Sequence, residues 1–313
     1  MRLVLYIAMQ IAVLLLVSIV GSILLNIFGI QIDTQSYASL LVMCAIFGCV
    51  GSVISLFLSK TMCKRAYGVQ VITTPRNQQE AFLLSTVRML TQKNGLAMPE
   101  VGIYNSPDPN AFATGASKDA ALVAVSTGLL NSMSQSEVTG VLGHEISHIK
   151  NGDMVTMALL QGVLNTFVYF FSYVAAFAIV NATRGNNSDN RNVSFGSSMM
   201  FYTINSIMQM VFGLLATMIL MWFSRFREYR ADAGSAMLNG KECMIGALVA
   251  LKRGIQPKER KDQSYMQALC INGPVTVSEL FMSHPPLEKR IAALRSMQFV
   301  SKINSLYSSS NTE

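Results

Sequence analysis

The stretch Gly143-His144-Glu145-Ile146-Ser147-His148-Ile149-Lys150-Asn151-Gly152-Asp153, followed by the charge-free run Met154–Thr183, decides how this 313-residue chain is read. Ser134 and Glu137 have the spacing of a capping box, so a helix is predicted from there through Lys150. Residues four apart share a face of a helix, so His144 and His148 can hold one ion together. Glu145 sits beside the first imidazole, where it can take a proton from a water activated by the metal. Asn151-Gly152 then breaks or bends the helix before the apolar run begins.

Working outward, four stretches carry no charge: Leu3–Ile32, Thr34–Ser59, Met154–Thr183 and Asn192–Ser224. Each exceeds the roughly 20 apolar residues that span a bilayer core, so four membrane helices are expected. Hydrophobic residues make up 51% of the chain and charged ones 13%, a composition that excludes an ordinary soluble domain. The first run is too long for a cleaved leader and reads as an uncleaved anchor. Of 24 Lys and Arg, eight lie between Lys60 and Lys150 and thirteen from Arg225 onward. The positive-inside rule therefore places both large polar segments in the cytoplasm. The net charge of +7 is scattered and accompanies no nucleic-acid motif, so lipid is the expected partner, not nucleic acid. The five cysteines form no CxxC pair and are read as small apolar residues without disulfides.

Between the span pairs the pattern is mixed. Gly68–Thr73 alternates like a strand, and Thr74-Pro75 is expected to open a helix running to Lys93. Val101–Tyr104, Ala111–Thr114 and Ala120–Ser126 are strand candidates. After the last span a helix is expected over Arg225–Leu238, stopped by Asn239-Gly240, then helices over Glu242–Lys252 and Pro286–Met297. Lys258–Asp262 reads as a charged loop, Arg184–Ser198 as a flexible outer loop, and the tail after Ser301 as disordered. Asn165 and Gln209 are expected to hydrogen-bond across the third and fourth spans.

A catalytic zinc takes three protein ligands and leaves a position for water. His284 and Glu228 are the candidates for the third. Glu228 is favoured, because His148 and Glu228 lie just beyond the same ends of two antiparallel spans. At about 1.5 Å per helical residue, both would stand less than about 10 Å from the hydrocarbon boundary. Asp232, four residues on, faces the same way and suits the free ring N–H of a ligating histidine.

The combination of HEISH, Asn151–Asp153 and Phe226–Ala236 (FREYRADAGSA) resembles the HtpX family of bacterial membrane metallopeptidases, gluzincins related to the CAAX-processing membrane proteases. Asn110–Gly115 (NAFATG), Val125–Leu130 (VSTGLL) and Ser283–Leu294 (SHPPLEKRIAAL) extend the resemblance over nearly the whole chain. It implies a zinc metalloendopeptidase with one Zn2+ per chain, held by His144, His148 and Glu228, with Glu145 as general base. It implies that Asn110, Ala111, Phe112 and Ala113 align the substrate backbone as an edge strand or loop. His284 resembles a histidine that stabilises the tetrahedral oxyanion, and Arg290 its partner position at the substrate. It also implies quality control at the bacterial inner membrane, with misfolded or damaged membrane proteins cut on the cytoplasmic side.

The fold expected is an α+β membrane protein, mainly helical, with four transmembrane helices and a zincin-like cytoplasmic catalytic domain containing a small β-sheet. Residues 1–59 form the first span pair and 154–224 the second. Residues 60–153 and 225–313 form the two halves of the catalytic domain. Two other readings compete. An intramembrane protease would need its HExxH inside a span, yet the flanking Ser134–Glu137 and Lys150–Asp153 are too polar for that depth. A non-catalytic zinc-binding scaffold or transporter is the other; a transporter should carry ionisable groups within its spans, and these have none.

Overall fold

The helix bearing the histidine pair is fixed at both ends by local chemistry. In the computed structural model, Ser134 accepts from the Glu137 N–H while the Glu137 carboxylate accepts from the Ser134 N–H, closing the capping box. The helix runs Gln135–Asn151 and stops at Gly152, whose φ of 70° suits a residue without Cβ. The next helix starts at once, at Asp153.

The structure describes residues 34–184, 195–254 and 284–296, together with Ile19. The helices are α1 (Thr34–Tyr67), α2 (Gln78–Lys93), α3 (Thr127–Ser132), α4 (Gln135–Asn151), α5 (Asp153–Arg184), α6 (Phe195–Asn239), α7 (Lys241–Gly254) and α8 (Leu287–Arg295). The strands are β1 (Gln70–Val71), β2 (Glu100–Tyr104), β3 (Ala111–Thr114) and β4 (Leu122–Ser126). The chain forms two compact units. One takes in residues up to Ser55 with Met157–Leu220, the other Leu56–Thr156 with Met221 onward.

The first unit is apolar. Among the described residues, three helices are long and apolar enough to cross a membrane: Leu40–Tyr67, Asp153–Thr183 and Met199–Asn239. The expected first span, Leu3–Ile32, lies outside the described residues except for Ile19, as do the tail after Ser301 and the loop Lys258–Asp262; of the expected outer loop Arg184–Ser198, the described ends, Arg184 and residues 195–198, are helical instead. Small residues let α1 and α5 touch. A Cβ on Gly48 would sit 2.7 Å from the Thr166 backbone N and 2.9 Å from the Gly162 carbonyl. One on Gly162 would sit 3.2 Å from the Cys49 Cα. Close backbone approach is how helices associate in lipid, where no hydrophobic drive separates them from solvent. Gly48→Ala should therefore force the two helices apart and cost about 1–3 kcal/mol, read as a lower thermal midpoint in detergent. The Asn165 amide does not reach Gln209: its Oδ1 accepts from Gln161 Nε2 at 2.8 Å within α5. Residues four apart on one helix already meet, so the pair closes locally.

In the second unit the strand order is β1-β2-β4-β3, with β2 and β4 parallel and both outer pairings antiparallel. One face of the sheet, with Val101, Val123, Val125, Ala111 and Ala113, packs on Leu83, Val87 and Leu90 of α2 and on Val138, Leu142 and Ile146 of α4. The alternation of the strands thus buries the helix bearing the histidine pair against the sheet. The strand expected over Gly68–Thr73 shrinks to Gln70–Val71. The helix expected to open at Thr74-Pro75 starts at Gln78, because Asn77 Oδ1 is the cap, accepting from the Glu80 N–H at 2.8 Å.

Candidate metal centre

Close helix crossing brings the two halves of the site together. Ser235 Oγ on α6 donates to the Gly140 carbonyl of α4 at 2.7 Å. A Cβ on Gly143 would lie 2.4 Å from Asn239 Nδ2, and one on Gly234 2.8 Å from the Ser147 Cβ. Glycine at both positions lets α6 lie against α4, and this lays Glu228 and Asp232 beside His144 and His148. α6 is unbroken over Phe195–Asn239, so the carboxylates stand on the helix that carries the last apolar run.

His144 Nε2 and His148 Nε2 are 3.1 Å apart. Glu228 Oε2 lies 3.5 Å from the first and Glu228 Oε1 3.3 Å from the second. Tetrahedral ligands at about 2.0–2.1 Å from an ion are about 3.3 Å from one another, so the triangle fits a single divalent cation. Among the described residues, this is the one group of three or more His, Cys, Asp or Glu so arranged. Both ring nitrogens on the far side are held by carboxylates: His144 Nδ1 is 2.9 Å from Asp232 Oδ1, and His148 Nδ1 is 2.6 Å from Asp153 Oδ2. Such partners hold the Nδ1–H tautomer and turn the Nε2 lone pair toward the ion.

Asp153 is the residue that sequence reasoning missed. Its signal was a carboxylate straight after the Asn-Gly break, where the left-handed Gly152 turns the chain back toward His148. Arg230 Nη2 donates to Asn151 Oδ1 at 3.1 Å, tying that turn to α6. Removing the carboxylate in Asp153→Ala should weaken metal affinity about 10–100-fold, measured by competition with a chelating indicator.

Burial alone would push the His144 imidazolium down, but hydrogen bonds to Asp232 and Glu228 outweigh it and raise its pKa to about 10. His148 is held up in the same sense, against its burial, by Asp153 and Glu228. The surroundings are thus built for a cation, and protons compete with metal for the same nitrogens.

Glu145 is buried and lines a cavity of about 360 Å³ with His144, Glu228, His284, Asn110 and Ala111. Of the segment expected to align substrate, Ala111, Phe112 and Ala113 stand in β3, at the edge of the sheet among the described residues, and Asn110 directly precedes it. His284 is exposed, with Nδ1 2.7 Å from Glu228 Oε2. Arg290 borders the same cavity and is paired with buried carboxylates. It is 6% exposed, and its Nε and Nη2 donate to Asp232 at 2.7 and 2.6 Å. Its Nη1 lies 3.3 Å from Glu228 Oε2. The guanidinium thus offsets the buried negative charge of Asp232 and Glu228.

Comparison with known proteins agrees with this geometry. Peptidase family M48 matches residues 77–298. The chain is 52% identical to Protease HtpX of Tolumonas auensis over 297 residues, covering 95% of this chain and 99% of that one. It is 53% identical to Protease HtpX of Haemophilus influenzae strain 86-028NP, covering 95% and 100%. It is 49% identical to that of Klebsiella pneumoniae, covering 96% and 99%. The crystal structure of S. mikatae Ste24p shares the fold at a TM-score of 0.60 and 20% identity, over 94% of this chain and 67% of that one. With the metal triangle and the apolar helices already in place, the chain belongs to peptidase family M48 as a membrane metalloprotease.

Proposed function

We propose that this protein is a zinc endopeptidase of the bacterial inner membrane that cuts misfolded or damaged membrane proteins on the cytoplasmic side. The observation that carries the reading is the triangle of His144 Nε2, His148 Nε2 and Glu228 beside a cavity bordered by the edge strand β3. Two imidazoles and one carboxylate suit zinc, with a position left for water or substrate. Bound there, zinc supplies Lewis-acid polarisation of the scissile carbonyl and acidifies water. The remaining steps belong to the chain. β3 offers its free edge to an extended peptide, whose backbone pairs with it by main-chain hydrogen bonds. Asn110 and Ala111 bring that backbone to the cavity. Glu145 takes the proton of the attacking water and passes it to the departing amine. His284 donates to the developing oxyanion. Asp232 and Asp153 hold the imidazoles, and Arg290 offsets the buried negative charge.

Cytoplasmic placement is supported by the basic asymmetry, with eight Lys and Arg between Lys60 and Lys150 and thirteen from Arg225 onward. The choice of membrane proteins as substrates rests on the family resemblance. Purified protein incubated with an unstructured membrane-protein substrate tests the reading. Cleavage that a chelator stops and added zinc restores is the expected result. Cleavage that survives the chelator contradicts it.

A further inference from the structure

We propose that Tyr67, delivered by the end of α1, and Phe112 of β3 form an apolar subsite for substrate side chains on the face of the sheet opposite the metal ligands. The inference rests on the reading of β3 as the strand that aligns the peptide. Side chains along β3 alternate. Ala111 and Ala113 pack toward α4, and Ala111 lines the cavity with His144 and Glu145. Phe112 turns the other way. Its ring lies 5.2 Å from that of Tyr67 and 5.6 Å from that of Tyr104, and Tyr67 and Tyr104 are 5.4 Å apart. Phe112 is paired with the small residue Ala124 of β4. Tyr104 is buried at 3%, but Tyr67 keeps 52% of its surface exposed.

Tyr67 is held firmly in place. Lys60 and Lys64, about two turns and one turn before it, both pair with Glu100 at the start of β2. Gly68, with φ of 62°, then turns the chain so that Val69 lies over Gly102, where a Cβ would meet its Cγ1 at 2.4 Å. A half-exposed aromatic ring is thus fixed on the outer face of the sheet beside Phe112. A peptide paired to β3 extends the sheet at about 4.8 Å spacing. Its residue opposite Phe112 would place its Cβ about 4.5–5.5 Å from that of Phe112. The residues before and after it point into the cavity instead. The substrate residue opposite Phe112 therefore meets the aromatic face, which suits aromatic and long aliphatic side chains.

The test uses the full chain in detergent with a synthetic peptide library, cleavage positions being read by mass spectrometry. The wild type should enrich bulky apolar residues at the positions alternating with the one that enters the cavity. Tyr67→Ala should lower kcat/KM about tenfold, through KM, for those peptides, and leave peptides with Gly or Ala there unchanged. Tyr67→Phe should restore the preference, and Tyr67→Lys should shift it toward acidic residues. An unaltered cleavage profile in Tyr67→Ala, or an equal fall for every peptide at unchanged metal content, overturns the subsite while leaving the peptidase reading intact. A wild type that cleaves no peptide in the library overturns both.

Discussion

Glu145→Gln should retain one metal ion per chain and lose peptide hydrolysis, with kcat falling about 10²–10⁴-fold. The substitution keeps size and hydrogen-bonding shape but removes the ability to accept a proton near neutral pH. Glu145 adjoins His144 on α4 and lines the same cavity as His144 and Glu228, yet it is outside the triangle that fits the ion. Metal content should therefore stay unchanged while turnover is lost. Turnover measured on an unstructured polypeptide, with metal content measured on the same preparation, checks this. A variant that keeps its activity would remove Glu145 from the role of base, and one that loses its metal would make it a ligand.

The second large effect is expected at Glu228. Glu228→Ala leaves two imidazoles 3.1 Å apart with no third donor. It also takes away the carboxylate that lies 2.7 Å from His284 and 3.3 Å from Arg290. The loss of metal affinity should exceed the roughly 10–100-fold expected when a partner behind a ligand, such as Asp153, is removed. Activity should fall with metal content and return in part at high zinc. Chelator competition ranks the variants: Glu228→Ala weakest, Asp153→Ala intermediate, Glu145→Gln unchanged. A Glu228→Ala protein that binds zinc as tightly as Asp153→Ala would contradict the assignment of Glu228 to the ion.

The ligand helix was legible because helical periodicity alone places His144 and His148 together, and Ser134, Glu137 and Gly152 mark its ends. Glu228 was legible because two antiparallel apolar runs end close to it and to His148. What stayed hidden depends on geometry that a linear pattern does not carry. Asp153 reaches His148 only because Gly152 adopts a left-handed conformation. Arg290 left a fainter signal. Leu287, Ile291 and Leu294 form the apolar stripe of α8, and Arg290 falls within it, which marks an arginine with buried partners. Tyr67 gave no signal at all, since it closes a long apolar helix and meets Phe112 only through the sheet order. α2 starts at Gln78 and not at Thr74-Pro75 because Asn77, three residues before Glu80, caps the helix.

X-ray absorption at the zinc edge on purified protein, with quantitative metal analysis, tests the central claim most directly. The expected result is one zinc per chain, bound by two imidazole nitrogens and carboxylate oxygen at about 2.0–2.2 Å, with no sulfur and with the carboxylate contribution lost in Glu228→Ala. Protein that carries no tightly held ion, or a zinc shell containing sulfur or unaltered by that substitution, would contradict it.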